Sequence, residues 1–174
     1  MQSPKKIDDY VAYVQEPCEK TQTPGAIMDE VDRKIVRALE ADARTSLRRI
    51  AKEVGVALGT VSNRVRRMEA MGIIQGYTVL LDPDKTGWGL SVVIGLRIQK
   101  GRVIKIQEKI AEDHRVYGVY DVTGDYDSMV LARAKERDDL DDLIKRVASM
   151  EGIERSVTHL VLNTVKEMPA SLPE

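Results

Sequence analysis

Six polar side chains crowd into eight consecutive positions: Thr60, Ser62, Asn63, Arg64, Arg66 and Arg67. Guanidinium, amide and hydroxyl groups in such density suit one chemistry above others, the reading of nucleic acid. Arg pairs with guanine O6/N7, Asn with adenine N6/N7, and Ser or Thr with phosphate or either base. On a helix turning about 100° per residue, Val65 and Met68 fall close to Val61, which gives an inward face. Gly59, Ser62, Asn63, Arg66 and Arg67 cluster opposite, with Thr60 and Arg64 on the flank. Recognition helices read bases near their N-terminus and grip phosphates from their edges. Ser62, Asn63 and Arg66 are therefore the expected base readers. Thr60, Arg64 and Arg67 are the expected phosphate contacts, with Arg48 and Arg49 of the preceding segment as weaker ones. Alone, such a run is more often a solvated basic helix face than a DNA reader. The setting favours DNA: Ala51, Gly55 and Val61 supply the small crossing residue, turn glycine and apolar anchor of two helices joined by a tight turn.

A second cluster is Thr123, Gly124, Asp125, Tyr126 and Asp127. Gly124 frees backbone N–H groups that can hold a carboxylate. Two aspartates two positions apart can meet an ammonium, and Tyr126 offers a ring and a hydroxyl. The same residue types also make an ordinary polar β-turn. No catalytic constellation accompanies either cluster. His114 and His159 stand far apart, and Cys18 is the single cysteine, which excludes a disulfide framework within one chain. No Cys, His and carboxylate spacing suits a metal, so neither metal nor cofactor is expected. Gly87-Trp88-Gly89 lacks the strand-to-helix setting of a dinucleotide motif, and Asp82 and Asp84 flank a proline as turn formers.

The elements that must hold these clusters are legible from periodicity. Residues 1–27 read as an extension, with Ile7, Tyr10, Val11 and Val14 at helical spacing before Pro24-Gly25 breaks the pattern. A first clear helix begins at Asp29 as N-cap, with Glu30 and Asp32 in its first turn and Val31, Ile35, Val36 and Leu39 inward. Thr45 or Ser46 caps a second helix that Gly55 ends, and a third runs from Leu58 to Met71. GIIQGYTVLLDP reads as a strand, which completes a winged helix-turn-helix over 28–76 with a β linker or wing at 77–90. From 91 to 166 the order is β-α-β-β-α-β, the split ferredoxin-like arrangement, closed by HLVLNTV; residues 167–174 form a tail. The fold class is thus α+β. Helices cover one face of such a sheet. SVVIG and LVLNTV carry apolar residues at consecutive positions, so the other face predicts a homodimer.

Composition agrees with this division. The chain has 174 residues, 43% hydrophobic and 32% charged, and a net charge of −1 that averages unlike parts. From Arg44 to Arg67 seven basic residues face one acid, Glu53, whereas from Arg137 to Arg155 six acids face four bases. A basic head suited to a polyanion is joined to a more acidic body. No apolar run approaches the roughly 20 residues of a membrane span, and residues 1–16 lack a secretory signal. The expected compartment is the cytoplasm.

From Met28 to about Lys166 the chain resembles the Lrp/AsnC, or feast/famine, transcription regulators. MDEVDRKIVRALEADARTSLRRIAKEVGV, TVSNRVRRMEAMGIIQGYTVLLDPDKTG, VYDVTGDYD and GIERSVTHLVL carry the resemblance, in order and spacing, over about four fifths of the chain. It implies a sequence-specific regulator that binds double-stranded DNA and works as a dimer assembling into tetramers or octamers. It also implies an effector, usually an amino acid, bound at Thr123, Gly124, Asp125, Tyr126 and Asp127. The paired carboxylates favour a cationic effector such as lysine or arginine. The chain departs from the family at Ala57, where a capping Ser or similar residue is usual, and at Gly59, which lacks a side chain. Two other readings fit the same plan: an architectural DNA-wrapping protein without effector, and a siroheme decarboxylase-like enzyme. An enzyme that had left DNA behind has no reason to keep the exposed face of the third helix.

Overall fold

Helix α1, Glu30–Ala41, starts where Asp29 and Asp32 form a reciprocal capping box, each carboxylate accepting from the other's backbone N–H. Helix α2, Leu47–Val54, is capped by Ser46, which accepts from the Arg49 N–H, and ends at Gly55 with φ 78°, a left-handed conformation that glycine adopts freely. Helix α3, Leu58–Ala70, has Ala57 at its N-cap and no side chain there to receive an N–H. The three helices bury Ile35, Leu39, Ile50, Ala51, Val61, Val65 and Met68 in one core. The computed structural model describes residues 28–168 and 171–173. The extension at 1–27, with the helix expected through Ile7 and Val14, and Cys18 lie outside the described residues.

The strand expected in GIIQGYTVLLDP does not form. No strand occurs between α3 and Leu90, and Tyr77, Val79, Leu80 and Leu81 are exposed. A strand needs a neighbour for its backbone N–H and C=O groups, and among the described residues this segment has none. A single 3-10 turn, Asp84–Thr86, follows.

The ferredoxin-like part comprises β1 (Leu90–Ile98), α4 (Val103–Ala111), β2 (Val116–Asp121), β3 (Ser128–Ala134), α5 (Arg137–Ala148) and β4 (Ile153–Leu160). Its sheet has the order β2-β3-β1-β4 with every neighbour antiparallel. Val92, Ile94, Leu96 and Ile98 of β1 join Val130 and Ala132 of β3 beneath Ile106, Ile110, Leu143 and Val147 of the helices. The intervening residues Val93, Met129, Leu131 and Val157 are half-buried on the opposite face, where the alternation of a strand must put them.

The closing strand lies earlier than HLVLNTV. It spans Ile153–Leu160, pairing Ile153 with Ile98 and Leu160 with Val92. The Val161 N–H still reaches the Ser91 carbonyl at 2.9 Å, but β1 begins at Leu90 and offers no template beyond. As an edge strand with polar Glu154, Arg155, Ser156, Thr158 and His159, β4 lacks the continuous apolar run that marked its successor.

The chain divides into two compact units, one from Leu81 to Lys166 and one holding the three helices together with the C-terminal residues from Glu167. In the latter, the Leu172 N–H donates to Glu40 Oε1 at 3.1 Å and Arg33 Nη1 donates to the Pro173 carbonyl at 3.3 Å. Leu172 and Pro173 thus lie against α1.

Candidate nucleic-acid interface and effector turn

The core side of α3 is settled by Val61 and Met68, each fully buried, and Val65 beside them. Everything expected to read DNA is on the other sides. Gly59, Thr60, Asn63, Arg66 and Arg67 are exposed, and Ser62 and Arg64 are half-buried. Arg48 and Arg49 are exposed on α2. Asn63 and Arg66, three positions apart, and Ser62 and Arg66, four apart, share one helix surface.

Arg64 and Arg67 have partners that the sequence reading missed. Arg64 Nη1 lies 2.5 Å from Asp29 Oδ2 and 2.9 Å from Asp32 Oδ1, and Arg67 Nη2 donates to Asp32 Oδ2. The Asp32 side chain is completely buried. The sequence places Asp29 as N-cap and Asp32 as an acid of the first turn. Their second role leaves no local signal, because the partners stand more than 30 positions away. The hydrogen bond from Arg64, reinforced by the Asp32 N–H, brings the Asp29 carboxyl down to about 2, and the hydrogen bonds to the Asp29 and Asp32 carboxylates raise Arg64 further above its ordinary value. Arg64, expected as a phosphate contact, is three quarters covered and held by two carboxylates. Arg66 makes no ion pair with any described residue, unlike Arg64 and Arg67 of the same helix.

The turn between β2 and β3 also separates its five residues. Thr123, Gly124 and Asp125 are exposed, with Gly124 at φ 114°. Tyr126 folds back onto Gly95 of β1. Asp127 is committed to the backbone: its Oδ2 accepts from the Ile98 N–H at 2.8 Å and its own N–H donates to the Leu96 carbonyl at 2.9 Å. The β1–β3 ladder ends at Leu96–Ser128, so Asp127 satisfies an N–H that the strand would otherwise leave unpaired. An open groove of about 600 Å³ lies beside the turn, lined by Ile104, Lys105 and Glu108 of α4 together with Asp121, Val122 and Asp127. Of the five expected effector residues only Asp127 lines it.

Among the described residues, no group of three or more His, Cys, Asp or Glu side chains is placed to hold a metal ion, and no helix is long and apolar enough to cross a membrane.

A helix-turn-helix head with an exposed cationic third helix, joined to a ferredoxin-like domain, defines a two-domain DNA-binding transcription regulator. Residues 28–75 match the winged helix-turn-helix DNA-binding family and residues 91–171 the Lrp/AsnC ligand binding domain. The chain belongs to the Lrp/AsnC family. It is 44% identical to the HTH-type transcriptional regulator PYRAB04820 of Pyrococcus abyssi over 81% of this chain and 96% of that one. The structure of AsnC from E. coli superposes with a TM-score of 0.77 at 26% identity, covering 83% of this chain and 99% of that one. The feast or famine regulatory protein Rv3291c of M. tuberculosis, complexed with L-methionine, gives 0.74 at 30% identity, covering 83% and 99%.

Proposed function

We propose that the chain is a sequence-specific regulator whose assembly and DNA binding are modulated by an amino-acid effector, acting in the cytoplasm on double-stranded DNA. The single observation that carries the DNA reading is the division of α3 into a buried row, Val61, Val65 and Met68, and an outward row of half-buried Ser62 with exposed Asn63 and Arg66. Thr60 and Arg67 flank this row as phosphate contacts, with Arg48 and Arg49 in support. The half-buried apolar residues Val93, Leu131, Met129 and Val157 on the sheet's open face support a homodimer, assembling further to tetramers or octamers. Two-fold symmetry then sets half-sites about one helical turn apart.

The effector reading rests on the complex of Rv3291c with L-methionine and on the exposed turn. Gly124 offers backbone N–H groups to a carboxylate, and Asp125 offers an acceptor to an ammonium. Asp127 also holds the turn through the Ile98 N–H and Tyr126 packs on Gly95, while Asp127 lines the groove beside α4. Effector binding would shift the population of assemblies.

Selection of bound sequences from random DNA, with and without each of the twenty amino acids, tests the reading. One enriched, pseudo-palindromic motif is expected. Arg66→Ala should then weaken that duplex by about 1–3 kcal/mol and relax one base position. Enrichment of no motif would overturn the regulator reading in favour of a DNA wrapper.

A further inference from the structure

We infer that Asp32 is a positioning residue for DNA recognition, setting the rotation of α3 and presenting Arg67 to the phosphate backbone. This rests on the reading of α3 as the DNA-contacting helix.

Asp32 is a carboxylate without solvent, and such a group is stable only where it is fully paired. Its three partners come from two helices. The Asp29 N–H at the start of α1 reaches Oδ2 at 3.1 Å, Arg64 Nη1 reaches Oδ1 at 2.9 Å, and Arg67 Nη2 reaches Oδ2. Arg64 and Arg67 are three residues apart, nearly one helical turn. Two tethers to one point, a turn apart, oppose rotation of α3 about its axis and sliding along it. That rotation decides where Ser62, Asn63 and Arg66 point.

The two arginines are not equivalent. Arg64 is 26% exposed and bonds both Asp29 and Asp32, whereas Arg67 is 49% exposed and gives Asp32 one terminal nitrogen. A guanidinium has five N–H donors in a fixed fork. With one end anchored on a buried carboxylate, the exposed end of Arg67 is held in place before DNA arrives, so less side-chain entropy is lost on binding. Charge counting agrees: Asp29 and Asp32 neutralise Arg64 and Arg67, leaving Arg66 as the uncompensated cation of α3. Asp32 therefore lowers general attraction to DNA while sharpening geometry, a trade that favours discrimination over raw affinity.

The test is Asp32→Asn, which keeps the shape and an acceptor but removes the charge. Binding of the selected duplex and of a scrambled duplex is followed by fluorescence anisotropy over a salt series, with a thermal melt confirming the folded state. Positioning predicts that the selected duplex weakens by about tenfold or more while the scrambled duplex binds as well or better, since a negative charge near the phosphates is gone. An unchanged ratio between the two duplexes would overturn the inference. Should Asp32→Asn melt below the assay temperature, Arg67→Lys decides. It keeps the charge but loses the fork that bridges Asp32 and phosphate, and is expected to weaken the selected duplex several-fold at an unchanged salt slope; binding like the wild type would overturn the inference. Arg66→Ala runs alongside. If it leaves selectivity intact, the reading of α3 itself fails; if it abolishes selectivity while Asp32→Asn does not, only the role of Asp32 fails.

Discussion

The ring of Tyr126 occupies the space that a side chain would take at Gly95. A methyl group at Gly95 would come within 2.8 Å of three carbons of that ring, well inside van der Waals contact. Gly95 sits in the middle of β1, opposite Met129 on β3 and Val157 on β4, so the ring covers part of the open sheet face. The turn that supplies the candidate effector residues is thus fastened to the face that the homodimer would use. Gly95→Ala should cost about 1–3 kcal/mol by overpacking. Combined with Tyr126→Ala, most of that cost should vanish, because the second change removes what the methyl group strikes. Denaturant unfolding of both single variants and the double variant measures the coupling; strict additivity would contradict the contact.

Arg115 is the electrostatic anchor of the ferredoxin-like unit, 4% exposed and bonded to three carboxylates. Its Nε and Nη2 form a fork with Asp113 Oδ1 and Oδ2 at 2.9 and 2.8 Å, while Nη1 bonds both the carbonyl and Oδ1 of Asp139. This ties the turn after α4 to α5. Removing one partner of a buried pair leaves the others uncompensated, so Arg115→Ala should cost about 3–5 kcal/mol. The hydrogen bond from Arg115, against the opposing pull of burial, lowers the Asp113 carboxyl to about 2. A folded value below the unfolded one, near 3.9, means the stabilisation is complete above about pH 4. It fades as pH falls toward 2. Asp113→Asn should flatten that part of the acid limb in a pH series of unfolding free energies, and an unaltered limb would contradict the assignment.

The helices were the legible part of this chain, and their ends especially so. Asp29, Ser46 and Gly55 carry their capping chemistry within a few residues, and Val61, Val65 and Met68 repeat at the helical period. What escaped depends on distant partners. The strand expected in GIIQGYTVLLDP, 72–83, has apolar, β-branched residues but no neighbour to pair with among the described residues. The end of β4 is decided by where β1 begins, not by its own composition. At the DNA face, the outward row was readable from the wheel, but the capture of Arg64 and Arg67 by a carboxylate of α1 was not. The turn at 123–127 behaves the same way: the hydrogen bond from the Ile98 N–H to Asp127 depends on where the β1–β3 ladder ends, which the local residues do not show.

The missing cap of α3 is a simple stability test. Ala57 has the extended backbone of an N-cap, φ −66° and ψ 147°, close to that of Ser46 at φ −69° and ψ 142°. Ser46 accepts an N–H; Ala57 has nothing to accept with. Ala57→Ser should therefore raise stability by about 0.5–2 kcal/mol, and Ser46→Ala should lower it by a similar amount. Thermal melts of the two variants check both signs, and loss of stability in Ala57→Ser would show that the backbone there is not free to be capped.

Gly59 separates the needs of the fold from those of DNA. It stands in the first turn of α3, and a methyl group there would meet nothing within 4 Å. Nor does its φ lie in the left-handed region. Nothing in the free protein therefore calls for glycine, which costs a helix about 0.5–1 kcal/mol relative to alanine. On the proposed DNA-facing side, the absent side chain lets the backbone approach a base pair or phosphate closely. Gly59→Ala should thus raise the melting temperature while weakening the selected duplex, two effects of opposite sign from one methyl group. A melt and an anisotropy titration on the same preparation read both. Stabilisation with unchanged DNA affinity would place Gly59 outside the contact surface and shift the reading face toward Asn63 and Arg66.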